Sequence, residues 1–357
     1  MKFDLEKLLR DVFAPSAGER VVVAVDLPHG KFSDDDDWRE RRKMAEEWRI
    51  AFENLGLRAQ PLVTYPCTGA GNSDLPEFGD LAGKQIRLAE LFAETNICIS
   101  MTRFSATAPL MAFAKKYPNF RAASMPNVLR RMENSALAAD YHDVARKAAN
   151  LAERLNRSES ANVIFSTGHK FKFDLRFREA KADDGICQAS RPQHRVINLP
   201  SGEAFIVPYE GERPGEPSRT AGEIPVGWKG QFATLRVAAN RIAEIEGDSD
   251  YAKKLREHFA VDEARRNIAE LGLGCNDRAI VTGNVLEDEK AGLHWAYGRS
   301  EHLGGVTGPE SFSTPANVVH NDIVYAKSCP VEVKSVVLNY KSGSSEEIMR
   351  DCTYTVF

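Results

Sequence analysis

The tripeptide His320-Asn321-Asp322 offers an imidazole and a carboxylate two residues apart. Side chains alternate along a strand, so both would project from one face and could grip a divalent ion together. Three further segments carry donors of the same kind. Glu203 ends the turn of residues 198–203 at the start of a strand-like run. Glu270 stands just before a glycine-punctuated bend within residues 268–276, and His294 lies in a strand-like stretch, 293–299, whose alternate residues point the other way. Taken singly, each has an ordinary explanation: a surface pair on an edge strand, exposed or helix-end carboxylates, a core histidine beside Trp295. As a set, two imidazoles and three carboxylates are donors that zinc, cobalt, manganese and iron share.

Two stretches nearer the start carry less. The acidic run Asp34 to Asp37 reads as a helix start, where carboxylates cap free amides and complement the helix dipole. Four consecutive carboxylates cannot all converge on one ion. Thr68-Gly69-Ala70-Gly71 lacks the glycine spacing and following Lys-Ser/Thr of a phosphate-cradling loop, so it reads as a plain loop.

Four ordered motifs go further than any one of these residues. LPSGE at 199–203, ELGLGCN at 270–276, DEKAGLHWAYGR at 288–299 and HND at 320–322 resemble the LPxGE, ELGxGxN, DEKxxGxxHxAxGR and HxD motifs of the thermophilic metalloprotease family, aminopeptidases of the T and S type. The similarity runs from about residue 160 to 325. It implies a pair of divalent cations per chain (zinc, cobalt or manganese) held by Glu203, Glu270, His294, His320 and Asp322. It also implies a bridging water that loses a proton near neutral pH and attacks a carbonyl polarised by the same metals. The substrate would be a small peptide or related amide, cleaved at its N-terminal residue. Glu203 and Glu270 would be catalytic as well as ligating, with Tyr297 and Arg299 as supporting or oxyanion groups, and the chain would pair as a homodimer.

One departure stands out. The family places a tyrosine ligand seven residues after the histidine of the third motif, where this chain reads Gly298-Arg-Ser-Glu-His-Leu-Gly-Gly305. Either Glu301 or His302 takes the tyrosine's place as a donor, or the second metal position is altered or lost. At greater distance the same fold family resembles 2,5-dihydroxypyridine dioxygenase, which cleaves a ring with one iron(II) held by two histidines and a carboxylate. His320 and Asp322 would serve in both. That branch has a histidine in the ELG segment and lacks the glutamate of the LPxGE turn, whereas this chain keeps Glu203, Glu270 and His294.

The positioning elements fall into two groups. Residues 1–158 alternate strand and helix: a buried strand at 20–26, a helix at 35–55, a strand at 57–64, a helix at 86–94, a strand at 95–100 and a long alanine-rich helix at 132–155. That alternation predicts an α/β domain with a mostly parallel sheet. A polar break at 156–161 then leads to an α+β metal-binding domain, 159–357. Its strands are expected at 163–167, 170–177, 204–208 and 232–237, and its helices at 251–258 and 262–269.

The bulk numbers agree. The 357 residues exceed one compact core, and 43% hydrophobic with 27% charged residues is ordinary globular material. Basic and acidic totals of 47 and 51 leave a net charge of −4, which speaks against a nucleic-acid footprint. No run approaches a membrane-spanning helix, and the charged N-terminus lacks a signal peptide's apolar stretch, which makes the cytoplasm the expected location. Six scattered cysteines without a CxxC pair fit reduced structural thiols better than a thiolate zinc site.

Overall fold

The computed structural model describes residues 3–357. It is a mixed α/β fold whose contacts gather into two compact units: residues 1–146, 183–202 and 276–287 in one, and 147–182, 203–275 and 288–357 in the other. The helix Tyr141–Arg157 straddles the change at residue 146/147. Tyr141 and Ala145 pack with the first unit's core, while Ala148, Leu151 and Leu155 pack with the second's.

The first unit is built on a sheet in the order 196–198, 121–124, 97–101, 20–27, 63–66, 78–81, 84–87, with 58–59 also pairing 20–27. Its central pairings are parallel. The last two pairings are antiparallel: 78–81 runs against 63–66, and 84–87 returns against 78–81. The sheet is therefore only partly parallel. Arg20–Leu27 explains the arrangement: Val21, Val23 and Val25 enter one core with Trp48 and Phe52, and Val22 and Ala24 enter another with Leu88 and Phe92. A strand buried on both faces reads as the continuous apolar run seen in the sequence.

The second unit holds two sheets around one core. An eight-stranded antiparallel sheet runs 241–246, 231–238, 221–228, 170–174, 158–165, 333–340, 345–350, 353–354. A five-stranded sheet runs 181–183, 203–206, 268–274, 293–298, 320–324. Val163, Phe171, Leu235 and Val336 from the first meet Ile206, Leu271, Leu273 and Trp295 from the second. Among the described residues, no helix is long and apolar enough to cross a membrane, and no disulfide joins the six cysteines.

Several sequence expectations need correction. Residues 130–138 form two short 3-10 turns, and the long helix begins only at Tyr141. The expected polar break at 156–161 is the end of the helix Tyr141–Arg157 and the first half of the strand Ser158–Phe165. Residues 84–87 are strand before a shorter helix, Leu88–Ala93, and 57–64 splits into two strands. The expected helix at 262–269 is a 3-10 turn, Glu263–Arg266, followed by the strand Ile268–Gly274.

The acidic run at Asp34 acts as a helix start. Asp35 caps Asp36–Asn54 by accepting from the Trp38 amide at 2.8 Å, and its other oxygen accepts from Arg103 at 2.7 Å. Asp34 pairs with Arg42 at 2.7 Å. Asp35→Ala should lower stability to urea by about 1 kcal/mol, the usual worth of an N-cap. Asp36→Ala, whose side chain is 98% exposed, should leave the urea midpoint unchanged. Equal losses from both would contradict the capping account.

Candidate metal centre

Four antiparallel strands of the second unit carry the donors, and their register decides which side chains meet. Glu203 lies opposite Gly274, and His294 opposite Gly272. Ala296 lies between Glu270 and Asp322, and Gly298 opposite His320. Alternation sends Leu271, Leu273, Trp295 and Tyr297 into the core, so the donors share the other face. Every donor on that face has a glycine or alanine across from it.

Gly272 shows why. A Cβ there would lie 1.9 Å from His294 Nε2, so the imidazole occupies the space a side chain would take. The segment read as a bend is an extended strand; Gly272 makes room for the imidazole, and Gly274 lets the backbone of residues 289–292 pass close over the sheet.

The five residues form two overlapping groups, Glu203–Glu270–His294 and Glu270–His320–Asp322, each with donor atoms within 4.8 Å of one another. Glu270 belongs to both. Its Oε1 is 3.6 Å from His294 Nε2 and its Oε2 is 3.1 Å from His320 Nε2. Asp322 Oδ1 is 3.6 Å from His320 Nε2. Each imidazole donates from Nδ1 to a backbone carbonyl: His294 to Gly292 at 3.3 Å, His320 to Arg299 at 2.7 Å. Those bonds hold the Nδ1 protons on the carbonyls and aim both Nε2 atoms at the carboxylates, the orientation that metal-ligating histidines take.

Two neighbours carried no role in the sequence reading. The ammonium of Lys290, fully buried, lies 2.6 Å from Glu203 Oε1 and 2.7 Å from Glu289 Oε1. Both residues stand in the DEK run of the third motif, which was the available signal. A buried charge needs a partner, and Lys290 occupies one oxygen of Glu203. The other, Oε2, is buried without a hydrogen bond, as is His294 Nε2, although the two lie 3.2 Å apart. A buried carboxylate oxygen and ring nitrogen that close to each other fit a cation that takes the place of the proton between them, and this carboxylate–imidazole set suits zinc, cobalt, manganese or iron(II).

Electrostatics bind the group together. Burial pushes Glu203 up, but Lys290 and His294 outweigh it and hold the carboxyl at about 2. Burial is likewise overcome at Glu270, which His294 and His320 hold at about 2. Against burial, Glu203 and Glu270 raise His294 well above its ordinary value, and Asp322 and Glu270 do the same for His320. Burial lifts Glu289 to about 8, opposed by Lys290 and reinforced by Glu203 and Asp322.

The remaining expected site residues separate. Tyr297 faces the core, packs on Phe259 and accepts from Asn321 at 3.0 Å, so it is not at the cluster. The Arg299 guanidinium binds Glu301 at 2.7 Å, and only its carbonyl serves His320. Glu301 is thereby turned outward, its side chain 48% exposed. His302 does reach the site: its ring stands edge-on to His320, with centroids 5.0 Å apart.

Without a cation, both imidazoles hold protons that an incoming ion must displace. Apparent cobalt(II) affinity should therefore go on rising with pH above the ordinary imidazole range, with protons released on binding. Calorimetric titration in two buffers of different ionisation enthalpy measures this; a pH-independent affinity would contradict it. Gly272→Ala should drive the His294 ring aside and weaken cobalt binding by at least about tenfold. The far-ultraviolet circular dichroism should stay native, and wild-type affinity in that variant would overturn the account of the glycine.

The family model of the thermophilic metalloprotease (M29) matches residues 120–328. No curated protein matches the chain. Among solved structures, 2,5-dihydroxypyridine dioxygenase from Pseudomonas putida KT2440 superposes with a TM-score of 0.64 at 16% identity, covering 99% of this chain and 96% of that one. Wild-type AmpT from Thermus thermophilus superposes with a TM-score of 0.57 at 16% identity, covering 99% of each chain. At such identities these likenesses speak for the fold.

Proposed function

Because this chain belongs to the thermophilic metalloprotease (M29) family and is a metal-dependent peptidase, we propose that Glu203, Glu270, His294, His320 and Asp322 hold two divalent cations and that the enzyme removes N-terminal residues from small peptides. The observation that carries the reading is Glu270, which offers one oxygen toward each imidazole and so belongs to two donor groups at once. A single ion would leave one of those groups without a purpose.

Bound cations would supply Lewis acidity, polarising a peptide carbonyl and lowering the pKa of water. The chain's own residues do the rest. Gly292 and Arg299 carbonyls keep the two Nε2 atoms directed inward. Lys290 offsets part of the carboxylate charge and leaves Glu203 one free oxygen. The excess of carboxylate suits a positively charged N-terminal amine. His302, at the edge of the site, is the donor that stands nearest the missing tyrosine's role.

The first test is elemental analysis of anaerobically purified protein, followed by hydrolysis assays on a free and an N-acetylated peptide. Two zinc, manganese or cobalt ions per chain, with cleavage of the free peptide alone, is the expected result. Equal cleavage of both peptides would rule out the N-terminal specificity. One iron per chain with oxygen uptake on a dihydroxylated ring would favour the dioxygenase reading instead, which gives Glu203 and Lys290 nothing to do. His320→Ala and Asp322→Ala should each abolish activity and reduce metal content; full activity in either would sink the assignment.

A further inference from the structure

Beside the strands that carry the donors lies a carboxylate that accepts six hydrogen bonds. Glu210 has a side chain only 5% exposed. Its Oε1 accepts from Asn267 Nδ2 at 2.9 Å, Ser300 Oγ at 2.8 Å, Thr307 Oγ1 at 2.7 Å and the Thr307 amide at 3.2 Å. Its Oε2 accepts from the Val306 amide at 2.7 Å and from Arg178 at 3.0 Å. All six partners are donors, so the group must be an acceptor on both oxygens.

Those partners lie at particular places in the chain. Asn267 immediately precedes the strand Ile268–Gly274 that bears Glu270, and it also donates to the Gly298 carbonyl at 3.0 Å, where the His294 strand ends. Ser300 and Thr307 are the two ends of one loop, closed by the Ser300 amide donating to the Thr307 carbonyl at 2.9 Å. Between them sits His302, whose ring meets His320. Just before them is Arg299, whose carbonyl receives the His320 Nδ1 proton. The loop has no slack: a Cβ on Gly305 would lie 2.2 Å from Ser300 Oγ and 2.6 Å from Glu210 Oε2.

We propose that Glu210 is a positioning residue of the metal centre, fixing the loop that holds the Arg299 carbonyl and the His302 ring against His320. It touches neither substrate nor cation. It acts by setting the angle and tautomer of one imidazole and the place of a second, the kind of support whose loss ordinarily costs metal affinity. The inference rests on the two-cation reading of the five donors.

The test replaces Glu210 by Gln. A glutamine amide has one acceptor oxygen, so either orientation turns an NH2 toward donors and breaks the arrangement. With cobalt(II) as the probe, Glu210→Gln should bind about ten- to a hundredfold more weakly and show an altered visible spectrum. For a peptide substrate at saturating cobalt, kcat should fall more than KM changes. Should Glu210→Gln fail to fold, the double variant Ser300→Ala, Thr307→Val removes two of the donors while leaving the carboxylate bonded by Arg178, Asn267 and the backbone amides. It should shift the spectrum in the same direction. A folded variant with the wild-type cobalt spectrum and affinity overturns the inference alone. A wild-type protein that binds no cobalt overturns the reading of the centre and the inference with it.

Discussion

The register of four antiparallel strands is the constraint on which the rest of the centre depends. A sheet face can hold three carboxylates and two imidazoles only if the positions between them are nearly empty. Gly272 leaves its space to the His294 ring and Ala296 adds only a methyl, while Gly274 and Gly298 let the backbone of residues 289–292 and of Val319 close in, each of the four directly across from a donor. The opposite face does the reverse, with Leu271, Leu273, Trp295 and Tyr297 filling the core. Slipping one strand by a single residue would put leucine over the donors and carboxylates into the core.

Burial makes this face costly and also makes it useful. Desolvating several carboxylates is unfavourable unless opposite charge comes with them. Lys290 brings it from the segment between two of the strands, and the imidazoles bring more when they carry protons. The Nδ1 bonds to backbone carbonyls then leave little freedom in where each Nε2 points. Electrostatics hold the donors near one another, and the backbone decides their angles.

Much of this was legible in the sequence, for identifiable reasons. The HxD pair could be placed on one face because strand periodicity is two, and the four ordered motifs located all five donors. The same periodicity takes Tyr297 away from the site. Three residues from His294 on one strand is an odd number, so the two must face opposite ways. Residues 262–269 are mostly good helix formers, which makes a helix running up to Glu270 the local expectation. Pairing on both sides by the strands at 203–206 and 293–298 overrides that preference. The long helix expected from residue 132 was cut short by the Asn134-Ser135 and Asp140 region, where polar side chains compete for the backbone. Glu210 had no local mark at all, because its meaning lies in partners as far along the chain as Thr307.

The shared glutamate and the sheet that carries it also say when in the molecule's life a cation can enter. Donors on different strands meet only after distant pieces of chain have paired, Glu203 with Gly274 and Gly298 with His320. The ion therefore cannot serve as the seed around which the polypeptide organises, as it does in small zinc modules that are unfolded without metal. Here the scaffold has its own apolar cores and, through Lys290 and the protonated imidazoles, its own substitute charges. The cation is a tenant of a finished building, and stripping and refilling the site becomes an exchange of occupants rather than a cycle of unfolding and refolding.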